Sequence, residues 1–286
     1  MKRPRFIILL SAFALLTAAL AAPFAIQLYR ALIGFHVKET IPPALPPDLS
    51  RPAILVFSKT NRYRHGQAIA AVNALAKDIG VRRKWSVVVT ENGAVHNPRD
   101  LARFDAIVWN NVTGDVLTPA QRAALRAYVR RGGGFVGLHA SGDPGIVWPW
   151  YVESVIGARF TGHPKNPQFQ SALLVVEDTS HPATEMLPKH WRRTDEWYSF
   201  DASVRSRGFH VLASLDEASY IARAWNGADL RMGGDHPIMW WRCEGRGRAF
   251  YSAMGHKAEA FAEPLMRQSL EGAIAWAARR AGAGCN

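Results

Sequence analysis

The sequence predicts an α/β protein built on a doubly wound, mostly parallel sheet, and two observations lead to that class. Continuous apolar runs recur at "AILVFS" (53–58), "WSVVVT" (85–90), "FDAIVWNN" (104–111) and "GGFVGL" (133–138), the mark of strands buried on both faces. Helical periods lie between them, so the order is β-α-β, a short helix, then β-α-β.

The elements follow in chain order. "MKRPRFIILLSAFALLTAALAAPFAIQLYR" begins with basic residues and carries no charge from Phe6 to Tyr29, and about 20 apolar residues suffice to span a bilayer. A basic flank stays inside, so residues 1–30 are expected to be an uncleaved signal anchor. A cleaved signal peptide ending near Ala21 is the competing reading. Both make the rest of the chain extracytoplasmic, in the periplasm, and the first tethers it to the inner membrane through the N-terminal helix. Residues 31–52 contain "ETIPPALPPDLSRP". Paired prolines favour stiff, extended chain, so this segment is expected to be a linker, with the folded domain at 53–281.

"GQAIAAVNALAKDIG" places Ile69, Val72, Leu75, Ala76 and Ile79 on one helical face. "TPAQRAALRAYVRRGG" is a helix with Thr118 as its cap, Pro119 in the first turn, Gln121 completing a capping box and Gly132 at its end. Further strands are expected at "QSALLVVED" (170–178), "GFHVLASLDE" and "IMWWRCEGRGRAFYSAMGH", the last with a turn at Glu244-Gly245, before a closing helix that starts or kinks at Pro264. One elaborated domain is simpler than two.

Composition excludes some partners. The formal net charge is +12, but Lys2, Arg3, Arg5 and Arg30 supply four of those charges and the rest are scattered. No nucleic-acid motif is present, so no nucleic-acid partner is expected. Cys243 and Cys285 lack metal-site spacing, and the second lies in the tail "AGAGCN". Because such tails are usually loose, the two are not expected to pair.

Sites in open parallel sheets form beyond the carboxyl ends of the strands. Three of the ten histidines fall there: His65 after the first strand, His139 after "GGFVGL" and His256 after "AFYSAMG". Three strand ends delivering a histidine point to one shared rim, for acid–base work or for a divalent metal held by His65, His139 and His256. "RRTDEWYSFD" sets Asp195, Glu196 and Asp201 beside large rings, where a carboxylate is partly desolvated and suited to acid–base chemistry. Asp143 and Asp235 are weaker candidates. Of three His-Pro pairs, His163 and His181 read as structural turns, whereas His236 in "GGDHPIMWW" is a candidate binding residue. Trp148 and Trp150 are expected to form an aromatic wall for a sugar, with Tyr198 nearby. Ser141 is the one fallback nucleophile. No GxSxG, strand-end Cys, GxGxxG, Walker loop or HExxH occurs.

"VFSKTNRYRHGQAI", "WNNVTGDVLTPAQRAALRAYVRRGGGFVGLHASGD", "WPWYVESVIGARFTGHP", "DEWYSF", "GGDHPIMW" and "GRAFYSAMGH" resemble the ThuA-like (trehalose-utilisation) domain family, in order from about Ala53 to Trp276. The resemblance implies a flavodoxin-like fold similar to class I glutamine amidotransferases. Those relatives carry a nucleophilic Cys where this chain has His139, so glutaminase activity is not expected. It also implies a role in catabolism of trehalose and related disaccharides through 3-keto intermediates, and it marks His65, His139, Glu196, His236 and His256 as pattern positions. The expected function is therefore action on a sugar or 3-keto-glycoside by a lyase, isomerase or hydrolase, with His139, His256 and Glu196 catalytic and a divalent metal as candidate cofactor. The alternatives are a non-catalytic carbohydrate-binding or envelope-interaction module, and a metal-dependent hydrolase of a non-sugar substrate.

Overall fold

The computed structural model describes residues 3–143 and 148–285, with side chains from Thr17 onward. Helix α1 (Arg3–Leu32) comes first, followed by β1 (Ala53–Phe57), α2 (Gly66–Arg83), β2 (Ser86–Thr90), α3 (Pro98–Leu101), β3 (Ala106–Asn110), α4 (Pro119–Arg130) and β4 (Gly134–Leu138). Then come β5 (Phe160–Gly162), β6 (Gln170–Val176), β7 (His190–Asp195), β8 (Ser199–Phe200), β9 (His210–Leu215), β10 (Pro237–Glu244), β11 (Gly247–Ser252) and α5 (Pro264–Ala277).

Nine strands form one sheet in the order β2-β1-β3-β4-β11-β10-β9-β6-β7, and β5 pairs with β8 apart from it. Strands β2, β1, β3, β4 and β11 are mutually parallel. Strands β10, β9, β6 and β7 extend the sheet in antiparallel fashion. The sheet is thus mostly parallel at its centre, as the apolar runs predict. Every residue of β1, β3 and β4 is buried, and a large apolar side chain buried in this way contributes about 1.5–3 kcal/mol. Such strands have no free face for chemistry, so the loops at their carboxyl ends must carry it. Helix α4 has the capping box read from the sequence, with Gln121 N donating to Thr118 Oγ1 and Thr118 N to Gln121 Oε1.

Strand β7 has no apolar run to announce it. It alternates exposed and buried residues at the sheet edge, with Trp191, Arg193 and Asp195 facing inward. Charged side chains on an edge strand discourage pairing with another chain.

The N-terminal region differs from a free spacer. Residues 33–47 lie along the domain: Lys38 pairs with Asp115 at 2.6 Å, Gln121 Nε2 donates to Glu39 O at 2.7 Å, and Arg103 Nη2 donates to Pro47 O at 3.0 Å. Among the described residues no helix is long and apolar enough to cross a membrane. The membrane-spanning expectation rests in part on Met1, Lys2 and the side chains up to Leu16, which lie outside the described residues.

Cys243 and Cys285 form a disulfide, which corrects the expectation of a loose tail. The tail is pinned: Trp276 Nε1 donates to Ala283 O at 2.9 Å, Arg248 Nη1 to Trp276 O at 2.7 Å, and Arg279 Nη1 to Cys285 O at 3.0 Å. The bond closes a loop of 42 residues, so Cys243→Ser is expected to lower the free energy of unfolding by about 4 kcal/mol in urea titrations. Two titratable thiols in the denatured, unreduced protein would contradict this pairing.

His96 is fully buried; its Nδ1 faces Gly93 O at 3.1 Å, and its Nε2 accepts from Trp109 Nε1 at 3.2 Å. The ring is therefore neutral, and burial lowers its pKa from 6.5 to about 4. Between those values the unfolded chain binds a proton that the folded chain does not, so stability falls as pH drops below 6.5. By pH 5 this ring alone should account for about 2 kcal/mol of lost stability. Denaturant titrations at pH 7 and pH 5 check this, and His96→Asn should flatten the dependence.

Candidate functional site

Four polar side chains from separate segments meet beyond the carboxyl ends of the parallel strands. His65 stands where the loop after β1 enters α2, His139 follows β4, His256 follows β11, and Glu196 follows β7. Their ligand atoms all lie within 4.8 Å of one another. The predicted convergence of His65, His139, His256 and Glu196 is thus what the structure displays.

Local backbone explains the placement. His139 has φ +43°, the left-handed conformation of a sharp strand-to-helix turn, which a non-glycine residue adopts only when its surroundings hold it. Here its carbonyl accepts from Tyr251 Oη at 2.7 Å, and Tyr198 packs on the ring at 4.2 Å. At Gly142 a Cβ would lie 2.1 Å from Tyr251 Oη, so only glycine allows the turn to close there. Gly255, at φ +109°, turns the chain into His256, and a Cβ on it would meet the Phe261 ring at 2.5 Å. Asp195 then joins the two edges of the site. Its carboxylate accepts from Glu196 N at 2.9 Å, Gly255 N at 2.9 Å and His256 N at 3.1 Å, with Arg193 Nη2 at 3.4 Å.

Hydrogen bonding sets the protonation pattern. His139 Nδ1 lies 2.7 Å from Ala253 O; a carbonyl only accepts, so Nδ1 carries the hydrogen and Nε2 presents its lone pair in the neutral ring. That lone pair faces Glu196 Oε2 at 3.3 Å and His256 Nδ1 at 3.2 Å. His256 Nδ1 is 2.9 Å from the same Oε2. Burial alone would raise the Glu196 carboxyl, but the His139 and His256 rings set against its Oε2 outweigh burial and hold it far below the ordinary carboxylate range. His65 is also lowered, well below 6.5, by burial first and then by His139 and His256, which keeps its ring neutral. Its Nδ1 is buried without a hydrogen-bond partner. Lone pairs converging on a carboxylate, with one orphaned imidazole nitrogen, fit a cation. The His139, Glu196 and His256 donors are separated by 2.9–3.3 Å, against edges of about 3.4 Å for a tetrahedral site with bonds of about 2.1 Å, and His65 completes a set within 4.8 Å.

The cluster opens onto a cavity of about 510 Å³ lined by Arg62, Tyr63, Phe160, His163, Lys165 and Tyr198 among others. A second cavity of the same volume, with Gln67, Gln168 and Phe169 in its walls, shares Tyr63, His65, Gln168 and His256 with the first.

Several expectations need correction. His163 bonds within its turn as expected, Nδ1 lying 2.9 Å from Pro164 O, but it is more than a turn residue, since the same atom lies 3.1 Å from Glu196 Oε1; Gln168 Nε2 donates to the same oxygen at 2.5 Å. Neither residue has a local sequence signal, since both arrive on the irregular chain between β5 and β6. His236 is buried behind the site, with Nδ1 2.9 Å from Glu217 Oε1 and Nε2 2.8 Å from Tyr198 O, and so supports Tyr198 without reaching the pocket. Trp148 and Trp150 are core residues: Trp148 stacks on Tyr151 and Trp150 Nε1 donates to Glu244 Oε1 at 2.9 Å. Tyr63, Phe160 and Tyr198 supply the aromatic walls instead. Ser141 Oγ donates to Trp109 O at 2.7 Å and accepts from Val112 N at 3.1 Å, so it is committed to the fold. Asp201 and Asp235 pair with Arg207 and Arg205, whereas Asp143 does line the cavity. His181 is structural as expected, accepting from Ala183 N and packed near Trp276.

The family model described as ThuA, trehalose utilisation, matches residues 53–277. A search of the curated proteins finds no match. Among solved structures, a ThuA-like protein from Bacteroides uniformis is 26% identical with a TM-score of 0.68, covering 82% of this chain and 94% of that one. One from Parabacteroides merdae is 17% identical with a TM-score of 0.59, covering 80% and 90%. A β-galactosidase from Rahnella, 14% identical with a TM-score of 0.50, covers 82% of this chain and 32% of that one, a likeness of fold alone.

Asp195→Ala removes the acceptor of three site amides and leaves Arg193 buried without its nearer carboxylate. It is expected to destabilise the protein by about 3–5 kcal/mol and to abolish any ligand binding at the cluster. Denaturant titration and ligand titration of the folded fraction check the two effects separately.

Proposed function

This chain belongs to the ThuA family, and on that premise we propose that it is an enzyme acting on a sugar or 3-keto-glycoside, with one divalent metal held by His65, His139, Glu196 and His256. The observation that carries this reading is the convergence of four ligand atoms around a buried carboxylate, with His65 Nδ1 unpartnered. Three imidazoles and one carboxylate suit zinc and other late first-row metals. A metal held by these four residues would supply Lewis-acid stabilisation of negative charge developing on a carbonyl oxygen.

The chain's own residues supply the rest. The Tyr63, Phe160 and Tyr198 rings offer apolar faces to a sugar ring, while Arg62, Asp143, Lys165 and Gln168 offer polar partners to its hydroxyls. A 3-keto sugar has an acidified proton beside its carbonyl. His163, kept neutral by burial and with Nδ1 3.1 Å from Glu196 Oε1, stands in the cavity wall where a base could take that proton. No covalent nucleophile is required, in keeping with the commitment of Ser141 elsewhere.

The same reading places the protein outside the cytoplasm, tethered by its N-terminal helix. The Cys243–Cys285 disulfide supports an oxidising compartment, and the uncharged run from Phe6 to Tyr29 supports export.

Metal analysis of protein purified without chelators, joined to turnover assays on 3-keto-glycosides, tests the proposal. One equivalent of metal is expected in the wild type. His139→Ala and Glu196→Gln should each lose it, with turnover at least about 100-fold lower. Sugar binding that persists in both variants, with no turnover in the wild type, would point to a binding module instead.

A further inference from the structure

The loop between β1 and α2 delivers Tyr63 and His65 to the site. It must hold His65 buried, one ring nitrogen unpartnered, against two other imidazoles. Burying an unsatisfied polar group opposes that arrangement. Thr113, Asp115 and Glu91 of the domain already bond this loop, and a further segment can hold it against swinging away.

The chain before β1 does so. Gln27 Nε2 donates to Arg64 O at 2.9 Å, and Gln27 Oε1 accepts from Arg64 N at 3.4 Å. Arg30 Nη1 donates to Thr60 O at 3.1 Å and to Thr60 Oγ1 at 3.0 Å. Phe35 N donates to Asn61 O at 2.5 Å, Asn61 Nδ2 donates to Val37 O at 2.9 Å, and Arg62 Nη1 donates to Ala31 O at 3.3 Å. Glu39 closes the run, pairing with the buried Lys59 and accepting from Gly93 N at 2.9 Å. The loop's residues 59–62 and 64 are thus each bonded to residues 27–39. The same segment reaches the cavities, Ala31 lining the first and Gln27 the second.

We propose that residues 27–39 are a positioning brace for the His65 loop, so that the chain before β1 is a working part of the site and not a spacer. Gln27 and Arg30 are its principal side chains: they bond the loop on either side of Tyr63 and act on the chemistry only through His65. This inference rests on the reading of the four-residue cluster as the reactive centre, but its test needs no metal.

The experiment uses the full chain, comparing wild type, a Gln27→Ala/Arg30→Ala double variant and Arg51→Ala, which breaks the Arg51–Asp105 pair of the chain before β1 outside the brace. Two rates are read: carbethoxylation of His65 by diethyl pyrocarbonate, followed by peptide mass spectrometry, and hydrogen exchange over residues 58–66. In the double variant both should rise about tenfold while the thermal midpoint stays within about 2 °C of wild type; Arg51→Ala should match wild type in both. Either rate unchanged in the double variant, or an equal rise in Arg51→Ala, would overturn the brace. Zinc titration alongside should show weaker binding in the double variant. A wild type that takes no zinc would count against the metal, while the two rates still decide the brace.

Discussion

Glu196 is a buried carboxylate ringed by imidazoles, and the arrangement of this end of the molecule follows from keeping it there. A carboxylate removed from water needs positive charge or hydrogen-bond donors around it. His139 and His256 meet one oxygen, His163 and Gln168 the other. The four partners come from three segments, so the position of Glu196 ties together the ends of β4, β7 and β11 and the chain between β5 and β6. Asp195, one residue before it, joins the chain after β7 to the chain after β11 through backbone amides. Two adjacent acids thus divide the work: one orders the main chain and the other presents charge to the site.

The sheet explains why this convergence arises on one side. Parallel strands β3, β4 and β11 end in register, so the residues that follow them emerge on a common rim. His139 occupies a sharp strand-to-helix turn, and its Nδ1 is spent on Ala253 O. What remains is an Nε2 lone pair aimed at Glu196, an arrangement suited to holding a cation or a proton and unsuited to attacking a carbonyl. The antiparallel extension β10-β9-β6-β7 carries the acid from the far side of the sheet to meet it.

Much of this was legible in the sequence. The parallel core could be read because strands buried on both faces are continuously apolar, and His65, His139 and His256 because each directly follows such a run or the loop after it. Glu196 could be read from its aromatic neighbours. His163 could not: its part depends on an irregular chain folding back over the rim, which has no periodicity to reveal it. Trp148 and Trp150 misled because an aromatic cluster suits a core as well as a sugar, and burial separates the two only in three dimensions. The disulfide was missed for a similar reason, since Arg248, Arg279 and Trp276 fix the tail through backbone carbonyls that any sequence would offer. Strand β7 escaped notice because an edge strand alternates charge with burial and lacks an apolar run.

The central claim is that His65, His139, Glu196 and His256 together hold one metal ion. A crystal structure of zinc-loaded protein with anomalous data collected at the zinc edge addresses it directly. The account predicts a single anomalous peak among the four side chains, with the His139 Nδ1 hydrogen bond to Ala253 O retained. Absence of a peak there, with Glu196 Oε2 still set directly against His139 Nε2 and His256 Nδ1, would contradict it.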